Sequence, residues 1–125
     1  MKQQRFSISK RIKSFRFAFN GLKILIKEEH NSRVHLFAAI SAIIAGFSLN
    51  ISTTEWLAII LSIGFIICLE LINSSIENIA DFVSTEKHDS IKKVKDLAAG
   101  GVLVSAVSAF IIAVVIFIPK IAALI

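Results

Sequence analysis

One proline and five glycines in 125 residues leave the long apolar runs of this chain almost unpunctuated. The single cysteine, Cys68, rules out an internal disulfide and lacks the partners of a cysteine metal site. Set between Ile67 and Leu69, it is expected to be a small buried hydrophobe. Neither G-x-x-x-x-G-K-[ST] nor G-x-G-x-x-G occurs, so neither of these glycine-rich phosphate cradles is present. Residues 1–33 hold no uninterrupted apolar stretch and no small-residue cleavage site; no signal peptide is expected, and the N-terminus is expected to be kept.

What is present is hydrocarbon. Apolar residues make up 55% of the chain, above the usual share in a soluble domain. The expected fold is all-α and integral to a membrane, one domain over residues 1–125. The formal charge is +5, but its placement is more informative: nine of the 14 Lys and Arg lie at or before Arg33, and four more are Lys87, Lys92, Lys93 and Lys95. Base recognition needs a water-facing surface that this composition does not supply, so no nucleic-acid partner is expected. Attraction to anionic lipid headgroups accounts for the basic clusters.

Ile8, Ile12, Phe15, Phe19, Leu22 and Ile26 recur at steps of three and four, with Lys and Arg between them. Residues 7–30 are therefore read as an amphipathic helix lying along the headgroup layer. Three membrane spans are predicted after it, at 34–49, 56–83 and 97–118, the last stopped by Pro119. Residues 84–96 are read as a loop. Residues 1–33 and 84–96 carry 13 of the 14 positive side chains. Both should face the cytoplasm, which places the Asn50–Glu55 turn and the C-terminus outside a bacterial cytoplasmic (inner) membrane. Gly101, Ser105, Ala109 and Ala113 form a small-residue stripe suited to helix packing, within or between subunits.

The second predicted span contains the chemistry. Glu70, Asn73, Ser74, Glu77 and Asp81 fall within an arc of about 100° on a helix. If hydrocarbon ~30 Å thick begins near Trp56, it ends near Ile76, and Glu70 lies roughly 9 Å inside. A carboxylate there costs about 2.5 kcal/mol or more and marks a functional candidate. Asn73 alone is as well explained as helix-to-helix glue. Three like charges on one face repel unless a cation joins them. No Lys or Arg lies in the span, so a divalent metal or basic residues from another helix are implied. Oxygen-only ligation suits Mg²⁺, which binds one or two carboxylates together with substrate phosphates. Glu29, at the same cytoplasmic boundary as Glu77, is a candidate second ligand; Glu28 is read as a solvated charge at a helix end. From these residues alone, a metal-dependent membrane enzyme and a non-enzymatic ion or proton pathway both remain open.

The order of these pieces resembles the prokaryotic diacylglycerol kinase family, which includes undecaprenol kinases. The resemblance runs from about Lys10 to Pro119. Its most specific block is Glu70-Leu-Ile-Asn73-Ser-Ser-Ile-Glu77-Asn-Ile-Ala-Asp81, close to the family's E-x-x-N-[ST]-[AS]-I-E-x-x-x-D. A second block joins Glu86-Lys87-His88 to Lys95-Asp96-Leu-Ala-Ala-Gly-Gly-Val, and a third sets Glu29 with Asn31, Arg33 and His35. The family lacks both glycine-rich nucleotide motifs as well.

The resemblance implies a homotrimer of three-span subunits with shared active sites, using ATP and Mg²⁺ to phosphorylate a membrane lipid alcohol. On this chain Glu70 would be the catalytic base and meet the lipid hydroxyl. Glu29 and Glu77 would hold the metal with ATP. Glu86, Lys87, His88, Lys95 and Asp96 would contact nucleotide, and Asn73 and Asp81 would support the site. Lys10 and Phe17 stand where the family contacts nucleotide or lipid, at positions usually Arg and Tyr in the enterobacterial branch. The stretch from Glu29 to His35 and the ending Ile-Phe-Ile-Pro119 look more like the undecaprenol branch than the diacylglycerol branch.

Overall fold

The computed structural model describes residues 5–84, 86 and 88–125. Four helices follow one another: α1 (Ile8–Glu28), α2 (His30–Ser48), α3 (Thr53–Val83) and α4 (Asp89–Leu124). Among the described residues there is no strand. α3 and α4 are long and apolar enough to cross a membrane. α2 is apolar along most of its length, but its first turn, His30-Asn31-Ser32-Arg33, shortens the apolar part.

α1 begins at the N-cap Ser7 and carries Phe15, Phe17 and Phe19 exposed, as a helix lying against a bilayer surface would. A single extended residue, Glu29 (φ −105°, ψ 111°), separates α1 from α2. Arg33 holds this corner from the first turn of α2. Its Nε donates to the carbonyl of Ile26 at 2.7 Å, and its Nη2 donates to that of Lys27. Two carbonyls that the end of α1 leaves unpaired are thereby satisfied, and the Glu29 side chain is set at the bend.

The turn from α2 to α3 is built by local chemistry. Asn50 takes φ 52°, a left-handed conformation that asparagine tolerates. The Ile51 N–H then donates to the Gly46 carbonyl at 3.1 Å, closing a Schellman turn. Gly46 is required here: a Cβ would lie 2.7 Å from Trp56 Cη2. Ser52 and Glu55 form a reciprocal capping box at the start of α3, with bonds of 3.2 and 2.9 Å.

Buried Ile51, Ile59 and Ile116 form the core, with Ala42, Leu49, Trp56, Ile112 and Phe117 around them. It sits at the end of the bundle that carries this turn. Lipid tails are as apolar as isoleucine, so close packing rather than exclusion of water holds such a core within a membrane.

Three expectations need correction. α4 does not stop at Ile118 but runs through Pro119 to Leu124. Proline removes one backbone donor, yet the helix resumes, and Lys120 reaches Glu55 at 3.1 Å, tying the end of α4 to the start of α3. Residues 84–96 are not all loop: α4 begins at Asp89, so Lys92, Lys93, Lys95 and Asp96 are helical. Cys68 is exposed, not buried. It stands two residues from Glu70, about 200° around α3, on the side that the rest of the chain leaves bare. Of the small-residue stripe, Ser105 is buried within the chain, while a Cβ at Gly101 would meet nothing within 4 Å.

Large apolar side chains are exposed on every helix, among them Phe37, Phe47, Phe65, Phe82, Leu103 and Phe110. An isolated chain with this surface would not stay dissolved; hydrocarbon or further subunits must cover it.

Candidate active site

The acidic stripe is on α3, and its members meet different partners. Glu70 is buried, with 5% of its surface exposed, and its Oε1 contacts Nδ1 of His35 on α2. One turn toward the C-terminal end of α3, the Ser74 hydroxyl donates to Glu29 Oε1 at 3.4 Å, so the corner residue between α1 and α2 is laid against the stripe. Glu77 follows Ser74 by three positions on the same face and is half-buried. At the far end, Asp81 pairs with Lys95 from the second turn of α4.

A cation was required for this stripe, either a metal or a basic group from a neighbouring helix. Two acids meet basic groups from other helices: Glu70 has His35 and Asp81 has Lys95. Among the described residues, Glu29 and Glu77 have no basic partner. They are also the pair expected to hold metal.

Their donor set tests which metal fits. No group of three or more His, Cys, Asp or Glu capable of holding an ion is found among the described residues. That does not suit zinc, whose catalytic sites use three protein ligands. Two carboxylates do suit Mg²⁺, which takes its remaining ligands from water and substrate phosphates.

Asn73 lies between Glu70 and Glu77 along the stripe. Its Oδ1 is buried and has no hydrogen-bond partner among the described residues. An asparagine that glued helices together would have one, so within the chain that reading does not hold. Asn78 is engaged locally, donating to the Ser74 carbonyl at 2.7 Å.

Beyond the stripe, a cavity of about 580 Å³ opens between the end of α3 and the start of α4. Asp81, Glu86, His88, Lys95 and Asp96 all line it. Lys92 pairs with Asp96 at 2.6 Å, and His88 approaches Glu86 at 3.7 Å. Lys87 lies outside the described residues. Lys10 and Phe17 are exposed on α1, and no hydrogen bond or ion pair among the described residues joins their side chains to this cluster.

Sequence reasoning missed the contacts of His35 and Ser74. The signal for His35 was its depth. It lies about 7.5 Å along α2 from His30, while Glu70 lies roughly 10 Å along α3 from Glu77, so two polar groups on antiparallel helices share a level.

Comparison with known proteins follows the same segments. The sequence profile described as prokaryotic diacylglycerol kinase matches residues 16–117. The chain is 39% identical over 119 residues to an undecaprenol kinase of Bacillus subtilis, covering 95% of this chain and 97% of that protein. It is 30% identical over 112 residues to a diacylglycerol kinase of Synechocystis, covering 89% of this chain and 64% of that protein. To a diacylglycerol kinase of Helicobacter pylori it is 36% identical over 92 residues, 74% of this chain and 72% of that one.

Proposed function

The chain belongs to the prokaryotic diacylglycerol kinase family and is a lipid kinase, and from that premise we propose that it transfers the γ-phosphate of ATP to undecaprenol in preference to diacylglycerol. The observation that carries the chemistry is the ladder on α3: a buried carboxylate, Glu70, paired with His35, one turn above the Glu29–Ser74 contact. The lipid comes from similarity to an undecaprenol kinase along nearly the whole of both chains. Membership in a family of lipid kinases replaces the ion-pathway reading.

Glu29 and Glu77 would hold Mg²⁺, which when bound supplies positive charge to the phosphate oxygens. Glu70 accepts the proton of the lipid hydroxyl as its oxygen forms the new bond to the γ-phosphorus. The bond from that phosphorus to the bridging oxygen of ADP breaks, and ADP leaves. His35 orients the Glu70 carboxylate. Lys95 turns from Asp81 toward the phosphates as nucleotide enters the cavity lined by Glu86, His88 and Asp96, and Lys87 would contact the same nucleotide. Asn73 supports the site, its free Oδ1 open to a donor from substrate. Phosphoryl transfer asks little more of a protein than positioning and charge. Lys10 and Phe17 would complete the nucleotide or lipid contacts from a neighbouring subunit.

Purified protein given labelled ATP with undecaprenol or diacylglycerol in matched bilayers should show the larger kcat/KM for undecaprenol. The opposite order overturns the substrate assignment and leaves the kinase intact.

In this reading α2, α3 and α4 each cross the bacterial cytoplasmic membrane, with α1 on its inner surface, and three chains assemble as a homotrimer. The Lys and Arg bias places the N-terminus in the cytoplasm and the C-terminus outside. A cysteine at Thr53 should then react with an impermeant reagent from outside the cell, and one at Ser90 only from within; the reverse pattern refutes the orientation. Cross-linking in bilayers should stop at three chains, and a ladder ending at two would refute the trimer.

A further inference from the structure

Between α2, α3 and α4 lies a second cavity, of about 280 Å³, on the outer side of Glu70. Alanines set back its walls: Ala38, Ala39 and Ala42 on α2, with Ala106, Ala109 and Ala113 on α4. Among the described residues, Ser62 and His35 are its only polar side chains. Ser62 is spent on the Ala58 carbonyl, to which it donates at 2.7 Å. His35 stands at the inner end, against Glu70. A ligand in this space therefore meets hydrocarbon along its length and one polar pair at one end.

The dimensions identify what can enter. The lining residues on α3 run from Ile59 to Ile67, a length of about 12 Å. Spread over that length, the roughly 280 Å³ open to the centres of water-sized atoms gives a bore about 8 Å across from wall to wall. A helix with its side chains is about 10–12 Å wide, so a neighbouring subunit's helix does not fit. A single hydrocarbon chain, one carbon wide and packing about 4 Å from its neighbours, does.

We infer that this cavity receives the first isoprene units of a single-chain polyprenol, threaded outward from a hydroxyl held at the His35–Glu70 end. The inference rests on the polyprenol reading above and adds to it a place for the chain. Ala113 is at the outer end of the bore, so only a chain several isoprene units long reaches it.

The test compares kcat/KM for undecaprenol with that for a single-isoprene alcohol. Ala113→Leu should lower this ratio by about tenfold or more, the discrimination that a methylene-scale change in an apolar pocket delivers. Undecaprenol carrying a diazirine in its third isoprene unit should label the α2 and α4 alanine walls of the unaltered protein, a readout that does not depend on the variant folding. An unmoved ratio, or label found only outside the cavity, overturns the inference while turnover of undecaprenol leaves the substrate assignment standing. A leucine variant that dissociates the oligomer with the ratio unmoved gives the space to a neighbouring subunit and overturns it as well. Unaltered protein that phosphorylates diacylglycerol but no polyprenol sinks both.

Discussion

Glu70→Gln should reduce turnover at least 100-fold while leaving a folded oligomer. Glutamine keeps the size of the side chain and can still contact His35, so the α2–α3 junction survives. What it loses is the capacity to accept a proton from the lipid hydroxyl. General-base catalysis contributes about 10²–10⁴-fold, and the lower bound corresponds to roughly 2.7 kcal/mol in barrier. Initial rates on protein reconstituted in bilayers, with assembly checked on the same preparation, measure the effect. Turnover within about tenfold of the unaltered protein, or ~1.4 kcal/mol, would show that the hydroxyl proton leaves by another route.

Glu29→Ala and Glu77→Ala should each reduce activity by about 100-fold, and the double variant should be little worse than either alone. If the two carboxylates share one ion, removing the first already loses it, so the second removal has nothing left to take. Independent sites separated by more than about 7–10 Å instead give additive free energies. Raising the Mg²⁺ concentration should partly restore each single variant, because one carboxylate with ATP phosphates is still a ligand set that Mg²⁺ accepts. A double variant whose loss equals the product of the single losses would mean that Glu29 and Glu77 act separately.

Periodicity and charge made α1 legible before any coordinates, because an amphipathic face repeats at fixed steps and its boundaries follow. The acidic stripe was legible for the same reason: residues three and four apart on one helix share a face whatever surrounds it. The start of α4 was misread because Lys92, Lys93, Lys95 and Asp96 suggested a solvated loop. Two helix signals were nevertheless there, Asp89 in the first turn and the Lys92–Asp96 spacing. Pro119 was taken as a stop because proline disfavours helix interiors, but the last turn of α4 is held from outside by the Lys120–Glu55 pair. Cys68 was read from its apolar neighbours, which in a membrane say nothing about whether a face meets protein or lipid. The contacts of Glu70 with His35, and of Glu29 with Ser74, depend on how two helices are rotated against each other. No single-helix pattern carries that information.

The core around Ile51, Ile59 and Ile116 anchors one end of the bundle, and any tilt of α3 about that pivot displaces the acidic stripe toward its other end. Eighteen residues of α3, about 27 Å, separate Ile59 from Glu77. Over that arm a tilt of about 2° at the pivot swings Glu77 by roughly 1 Å, a misplacement that can cost about 10²-fold in rate. The fit of Gly46 under the Trp56 ring thus bears on the aim of an acidic group that it never touches, and the Glu70–His35 and Asp81–Lys95 contacts hold that aim farther along the helix.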